Sequence, residues 1–162
     1  EDKSFIVKPD SEGDKWELDW PVILISAECA IAYGTWYSEK TNQVWKLPTP
    51  LQWEKSARGV DGRSLPWGNH FEPTWAAVRG HTDSRALPAE IGTHKMDCSV
   101  YGVYGLAGNS SDMCIDPLNP DNMVTKGGAW SYHASFVQLA NQRSFPLDAR
   151  LETAGFRLVR QL

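Results

Sequence analysis

The sequence predicts one loop-rich α+β domain, and three observations carry that prediction. Its 162 residues suit a single domain with one sizeable core. Eight tryptophans stand beside 13 glycines and 10 prolines, a combination typical of folds in which large rings pack between short elements and many turns. Two segments carry helix-capping signals, and a few short apolar segments suit strands. No internal repeat or linker divides residues 1–162.

The N-terminal part predicts one helix after an extended lead-in. Residues 1–20 are polar without a sustained period, which indicates an extended lead-in with one short strand at 4–8. The β-branched run at 21–26 predicts a strand or an extended segment that ends at Ser26. Ser26 suits a helix N-cap, and small and aromatic residues at helical spacing predict a helix over about 27–39.

The second predicted helix carries the best local signal in the chain. Thr49 suits an N-cap, Pro50 the first helical position, and Gln52 completes a capping box, so a helix is expected at about 50–58. Three residues are expected to form its packing face: Leu51, Trp53 and Ala57. The preceding "VWKL" at 44–47 predicts a short strand.

The remaining chain is dominated by turn signals. Residues 60–100 hold glycine, proline and aromatic residues without a period, which predicts a long loop region. Residues 101–109 form a glycine-punctuated turn region, and the alternating tail at 155–162 predicts a final strand.

Charge and cysteine content exclude some partners. The net charge is −4 with no basic block, so no nucleic-acid surface is expected, and no apolar run reaches the length of a membrane span.

Of three cysteines, Cys29 falls on the first predicted helix, where a buried thiol is expected. Cys98 and Cys114 are the candidate disulfide pair, and the redox compartment stays open.

Several motifs occur in the order found in one family. They are "PVILISAECAIAYGTWYSEKT", "KLPTPLQWEKSARGVDGRSLPWGN", "YGVYGLAGNSSD", "KGGAW" and "AGFRLV". From Pro21 to Arg160 the sequence resembles formylglycine-generating enzyme (sulfatase-modifying factor) domains. The resemblance implies a C-type-lectin-like α+β fold with two helices packed on small twisted antiparallel sheets and long irregular loops. It also implies that an N-terminal part common in such domains is short or missing here.

The resemblance does not extend to the oxidase chemistry. The family's copper-dependent oxidases, which convert a substrate cysteine to formylglycine, use a thiolate pair, because thiolates bind soft cuprous copper. The corresponding residues here are Tyr132 and Val137. No copper and no formylglycine-generating activity are therefore expected. The four histidines, which show no metal-ligand spacing, are His70, His81, His94 and His133. No catalytic residue is predicted.

Calcium is a weaker implication of the same resemblance. The family holds the ion with backbone carbonyls and a few side-chain oxygens, which suits a hard cation. The matching residues that would supply ligands are Gly108, Ser110 and Asp112. Gly105 stands where an amide side chain is usual. A second family site retains only Asp83, because Ala77 replaces an asparagine. The alternative is that Asp112 and Asn109 satisfy loop backbone groups.

The segment after the glycine pair is expected to be a ligand-binding surface. The resemblance makes Gly127, Gly128, Trp130 and Arg157 its scaffold, with Arg157 as a structural ion-pair or hydrogen-bond partner. Residues 131–136 are expected to form a strand that displays rings, hydroxyls and amides. The expected ligand contacts are Ser131, Tyr132, His133, Ser135, Phe136, Asn141, Gln142, Ser144, Phe145 and Leu147.

Three classes of function fit these residues. A ligand-binding module is favoured, either the variable protein of a diversity-generating retroelement or a sensor domain fused to a Ser/Thr kinase or a surface lipoprotein. A divergent enzyme and a module that only stabilises a larger protein are the alternatives. A protein or peptide ligand is favoured over a glycan, because the lectin sugar signatures Glu-Pro-Asn and Gln-Pro-Asp are absent. A cell-surface or exported location is favoured, or a cytoplasmic one if a kinase is fused.

Overall fold

The computed structural model describes residues 8–9, 11–80 and 85–161. Within them the fold has two α-helices and six short strands, which confirms the α+β class and the two-helix architecture. In chain order the elements are α1 (Ala27–Thr41), β1 (Val44–Lys46), α2 (Pro50–Arg58), β2 (Ser111–Ile115), β3 (Asn122–Lys126), β4 (Gln142–Pro146), β5 (Ala154–Gly155) and β6 (Val159–Gln161).

Helix α1 begins where its cap predicts. The Ser26 hydroxyl accepts a hydrogen bond from the Cys29 backbone N–H, and Asn42 ends the helix in the left-handed conformation. The predicted buried thiol is wrong, because Cys29 lies on the exposed side of the helix. Residues 21–26 are extended but pair in no sheet, and Leu24 interrupts them with a φ of 57°.

Helix α2 forms over the predicted residues with the complete capping box. Thr49 and Gln52 exchange side-chain-to-backbone hydrogen bonds, and Trp53 and Ala57 are buried. Leu51 was expected on the packing face, but 81% of it is exposed. The reason is helical geometry: positions four apart share a face, whereas Leu51, two residues before Trp53, points to the far side.

The strands form two sheets. The larger has the order β4-β3-β2-β5, with β5 parallel to β2 and the other pairs antiparallel, and β1 pairs with β6 in a separate antiparallel sheet. The tail therefore does not form the single predicted strand. It divides into β5 and β6 around residues 156–158, because its two ends pair with different sheets.

The four-stranded sheet lies between the two helices. Met113 and Met123 pack on one face with Ala27 and Ala30 of α1, and Cys114 and Val124 pack on the other with Trp53 of α2. A third core cluster joins Val78, Ala107 and Val137. The candidate Cys98–Cys114 disulfide, which the sequence left open, does not form: Cys114 is buried in the α2 core, Cys98 lies half-buried in a loop, and all three thiols are free.

A long loop region connects α2 to β2, as predicted. Among its described residues the regular structure is one 3₁₀ turn (Pro73–Trp75) and two isolated bridges. Residues 4–7 of the strand expected in the lead-in, together with His81 and Asp83, lie outside the described residues. No helix of the described part combines the length and apolarity needed to cross a bilayer.

Candidate functional site

The glycine pair holds the candidate site against the neighbouring loop. Gly127 has a φ of +80°, and a Cβ there would lie 2.5 Å from the Leu106 carbonyl oxygen. A Cβ on Gly128 would lie 2.0 Å from the Ala107 carbonyl oxygen. Side chains are therefore excluded at both positions by backbone contact. Trp130 follows, half-buried, and its backbone N–H donates to the Asn109 carbonyl at 3.0 Å.

Residues 131–136 form turns rather than the expected strand. The Tyr132 N–H donates to the Ala129 carbonyl, and the Phe136 N–H donates to the His133 carbonyl. Both bonds close a turn over three residues, so these backbone groups do not pair with a neighbouring strand. A 3₁₀ turn at Ala134–Phe136 completes the segment. The tight path presents the rings of Tyr132 and Phe136 side by side.

Tyr132 is the centre of a cluster of rings and a guanidinium group. Its hydroxyl lies 3.0 Å from the Thr153 hydroxyl and accepts a hydrogen bond from Arg143 Nη1 at 2.8 Å. The Arg143 guanidinium carbon lies 4.4 Å from the centre of the Tyr132 ring and 5.0 Å from that of Phe136. The two rings meet edge to face at 6.2 Å. These contacts hold Arg143 without a carboxylate.

A small polar cleft lies beside this cluster. Sheet register places Ser111, Thr125 and Arg143 on one face of three adjacent strands, β2, β3 and β4. The cleft has a volume of about 10 Å³, the space of one water-sized group. Its lining also includes Gly127, Tyr132, Phe136, Asn141 and Gln142. Guanidinium, hydroxyl and amide groups therefore face one small opening.

A second arginine approaches Tyr132 from the long loop. The Arg79 backbone N–H donates to the Tyr132 carbonyl at 3.0 Å, and its Nη1 lies 3.1 Å from His133 Nε2. Arg79, His133 and Phe136 are exposed. The segment is thus flanked by one arginine on each side.

The predicted contact residues separate into two groups. Ser135, Gln142 and Ser144 are exposed, and Ser131 and Asn141 are half-exposed near the cleft. Phe145 and Leu147 instead pack against the α1-side core, contrary to the prediction. The cause is strand alternation, which turns Phe145 in β4 inward beside Met123.

Sequence reasoning did not assign four residues around Tyr132 to the site. They are Arg79, Ser111, Thr125 and Arg143. Arg143 lies between the predicted contact residues Gln142 and Ser144, and that position could have pointed to it. Arg79 lies 54 positions from its partner His133 in the chain, and no local pattern connects them.

Arg157 forms the buried ion pair that the scaffold was expected to contain. Its Nε donates to Asp112 Oδ2 at 2.6 Å, and the same oxygen accepts from Trp53 Nε1 at 2.7 Å. Arg157 Nη2 also donates to the Gly105 carbonyl at 2.9 Å. Burial raises the pKa of Asp112, while Arg157 and the Trp53 N–H oppose that shift.

These contacts do not fit a calcium ion bound through Asp112. A calcium ligand oxygen must point at the cation, yet Asp112 Oδ2 and the Gly105 carbonyl already accept from a guanidinium group. Gly108 and Ser110 were expected to supply backbone carbonyls; Gly108 is buried with its N–H donated to Asp97, and Ser110 is half-buried. Among the residues the structure describes, no three His, Cys, Asp or Glu side chains are grouped to hold a metal.

Asp97 performs the backbone-satisfying role that was considered for Asp112. Its carboxylate accepts the backbone N–H groups of Leu106, Ala107 and Gly108 at 3.0 to 3.1 Å. Burial outweighs these donors and raises the pKa of Asp97 to about 6. Asn109, as the alternative proposed, bonds the loop backbone through both amide atoms, at Ala89.

A larger apolar groove lies elsewhere on the surface. Its volume is about 710 Å³, and it lies between the segment before α1, one side of α1, the loop at 91–92 and the part of the fold that holds Asp112 and Arg157, both of which line it. Exposed apolar side chains such as Val22 and Ile91 line it. Its lining does not include Tyr132, Phe136 or Arg143, so it is separate from the polar cleft.

Comparison with known proteins agrees with this architecture. The family model of the sulfatase-modifying factor enzyme 1-like domain matches residues 7–162. The formylglycine-generating enzyme of Thermomonospora curvata is 30% identical over 85% of this chain and 54% of its own length. The "inactive C-alpha-formylglycine-generating enzyme 2" of Mus musculus is 30% identical over 79% of this chain and 44% of its own length. The chain spans about half the length of the curated relatives it matches.

Solved structures share the fold at low sequence identity. The structure of PvdO from Pseudomonas aeruginosa superposes with a TM-score of 0.78 at 18% identity, covering 92% of this chain and 65% of that one. Treponema denticola variable protein 1 superposes with a TM-score of 0.75 at 19% identity, covering 93% and 76%. With the family model matching nearly the whole chain, the protein belongs to the sulfatase-modifying factor enzyme 1-like domain family.

Proposed function

We propose that this chain is a non-catalytic ligand-binding domain, and that its ligand is a protein or peptide. The observation that carries the proposal is the pair of side chains at 132 and 137. At the positions where the family's oxidases use thiolates, this chain has a tyrosine phenol and a valine. Neither group binds cuprous copper.

Both residues have structural partners in the fold, which supports the proposal. Val137 is fully buried in the core cluster with Val78 and Ala107. The Tyr132 hydroxyl is bonded to Thr153 and Arg143. None of the three cysteines lines the polar cleft, and burial raises the pKa of the Cys114 thiol, which keeps it protonated.

The surface beside Tyr132 has the composition of a protein-binding site. Phe136 is 47% exposed although it belongs to a cluster of rings, and His133 and Ser135 are exposed beside it. Rings held by neighbouring contacts lose little conformational entropy on binding, which favours them as interface anchors. The similarity to a relative named inactive supports the non-catalytic part of the proposal.

One form of the proposal is that the chain is the variable protein of a diversity-generating retroelement, and the neighbouring genes test it. Exposed positions at 131–136 and in β4 would then differ among copies, while Gly127, Gly128 and Val137 would not. A reverse transcriptase gene with a near-copy template repeat beside this gene would support that form. A kinase domain in the same reading frame would support the sensor form instead.

The binding test uses a displayed library of random short peptides selected on the immobilised chain. We expect enriched peptides to lose about tenfold or more in affinity for the His133→Ala, Phe136→Ala double variant, since exposed anchors carry most of the binding energy. The melting temperature should stay unchanged. Ile91→Ala is the matched control, because Ile91 is an exposed apolar side chain in the separate groove.

Two outcomes would contradict the proposal. One is the absence of peptides that depend on Phe136. The other is copper-dependent conversion of a peptide cysteine to formylglycine by the purified chain, followed by mass spectrometry. Stoichiometric cuprous copper bound by the chain would point to the same conclusion.

A further inference from the structure

The arginines next to Tyr132 differ from most other arginines in the described part of the chain. Four arginines form ion pairs with carboxylates: Arg58, Arg63, Arg85 and Arg157. Among residues 8–9, 11–80 and 85–161, Arg79 and Arg143 contact no carboxylate. Arg150 and Arg160 share that property, but they bond Leu24 and Gln43 on other parts of the surface. The Arg143 guanidinium contacts the Tyr132 side chain, and the Arg79 guanidinium contacts the next residue, His133.

Arg143 is held in a way that leaves hydrogen-bond donors available. Its guanidinium lies over the Tyr132 and Phe136 rings, and Nη1 donates to the Tyr132 hydroxyl. A guanidinium has five N–H donors, and one contact with a phenol uses one of them. Stacking on two rings fixes the plane of the group, which reduces the entropy lost when it binds an anion.

The polar cleft lies beside this guanidinium and is lined by Ser111, Thr125, Asn141, Gln142 and Arg143 among others. The Ser111 hydroxyl already donates to the Gly127 carbonyl and Asn141 Nδ2 to the Ser135 carbonyl, so the donors that the inference uses are those of Arg143. No aspartate or glutamate is among its lining residues. The volume of about 10 Å³ suits one small polar group and excludes a ring or a branched side chain.

We propose that the Tyr132 surface recognises an acidic peptide segment, with one Asp or Glu carboxylate of the ligand bound by Arg143 at the polar cleft and a second acidic group near Arg79. This inference rests on the proposed function and names the chemistry of its ligand. Phe136 and His133 supply the apolar and aromatic contact between the two arginines. A guanidinium bonds a carboxylate through two parallel N–H groups, which gives both strength and orientation.

The test asks whether the peptides enriched on the chain depend on their carboxylates. We expect these peptides to contain Asp or Glu, and replacement of those residues with Asn or Gln should weaken binding about tenfold or more. Arg143→Gln and Arg79→Gln should each produce a comparable loss. Arg160→Gln is the matched control, since Arg160 is exposed and lies in β6. Binding should also weaken as salt is raised, because salt screens exposed charges.

The possible outcomes separate this inference from the proposed function. If the enriched peptides require Phe136 but bind equally well with Gln in place of Glu, the acidic class is wrong and the binding function stands. If Arg143→Gln binds normally, the inference is overturned in the same way. If no enriched peptide depends on Phe136, both proposals fail. The peptide substitutions keep the test decisive should Arg143→Gln not fold.

Discussion

Two arginines at opposite edges of the four-stranded sheet show how differently one residue type is used in this fold. Arg157 follows the edge strand β5 and donates to the buried carboxylate of Asp112, with two loop carbonyls completing its contacts. Arg143 lies in the other edge strand, β4, and contacts two aromatic rings and a phenol hydroxyl. Each guanidinium is ordered by its neighbours, but only Arg157 has its charge neutralised within the chain.

The surroundings of the two arginines indicate which of them is available to bind a ligand. A buried carboxylate left without its cation is strongly destabilising, so the Asp112–Arg157 pair stabilises the fold. Aromatic rings hold Arg143 in place without neutralising it, so its charge stays available to a ligand. The Arg157 side of the sheet is therefore scaffold, and the Arg143 side is the candidate contact surface.

The largest effect is expected for the replacement of Arg157 with alanine, compared with the same replacement at Arg143. Arg157→Ala leaves Asp112 buried with the Trp53 N–H as its remaining side-chain donor, and we expect it to lower the free energy of unfolding by about 4 kcal/mol. Arg143→Ala removes a partly exposed cation–π contact and one hydrogen bond, and should cost about 1 kcal/mol. Urea denaturation of both variants measures the difference. Equal costs would mean that the two sides of the sheet do not differ as proposed.

Helix positions were predictable from the sequence because their signals are local. Ser26 caps α1 directly before Ala27, and the Thr49–Gln52 capping box spans the first turn of α2, so each helix start is marked by residues next to it in the chain. Leu51 was assigned to the wrong face of α2. Trp53 and Ala57, which lie four positions apart, mark the buried face of this short helix, and Leu51 does not lie on that face. Strand pairing was less predictable: the tail divides between two sheets, and that choice depends on contacts with β1 and β2.

The candidate site was predictable in part. The sequence alone identifies residues 132 and 137 as a tyrosine and a valine, and the prediction that no copper is bound rests on that identity. The turns after Trp130 were not predicted. The close approach of Gly128 to Ala107 joins segments that are distant in the chain, and no local sequence pattern indicates it. For the same reason Arg79, which reaches His133 from the long loop, could not be assigned to the site.

A second buried carboxylate, that of Asp97, makes the stability of the fold depend on pH. The folded-state pKa of Asp97 is raised to about 6 from an ordinary value of 3.8. A raised carboxyl pKa means that folding favours the protonated form. The stability that Asp97 contributes is therefore complete below pH 3.8 and is lost as the pH rises through about 6, a change of about 3 kcal/mol.

Two measurements check the behaviour of Asp97. The ¹³C resonance of its carboxyl group should titrate with a midpoint near pH 6. In urea denaturation at pH 4 and pH 7, Asp97→Asn should show a weaker loss of stability with rising pH than the unsubstituted chain. A carboxyl resonance that titrates below pH 4 would show that the three backbone N–H donors outweigh burial, and that Asp97 behaves as an ordinary ionised loop anchor.

The smallest expected effect is that of calcium on the unsubstituted chain. A calcium ion bound at 100 times its dissociation constant would stabilise the fold by about 2.7 kcal/mol, or roughly 5 to 10 °C in melting temperature for a domain of this size. Because Arg157 already bonds Asp112 Oδ2 and the Gly105 carbonyl, we expect added calcium or a chelator to shift the melting temperature by less than about 1 °C. The Arg157→Ala variant removes the guanidinium from both oxygens, and calcium should restore part of its lost stability. A calcium-dependent rise in the unsubstituted chain would place a metal beside Arg157 and would contradict the assignment of the guanidinium as the cation of this buried site.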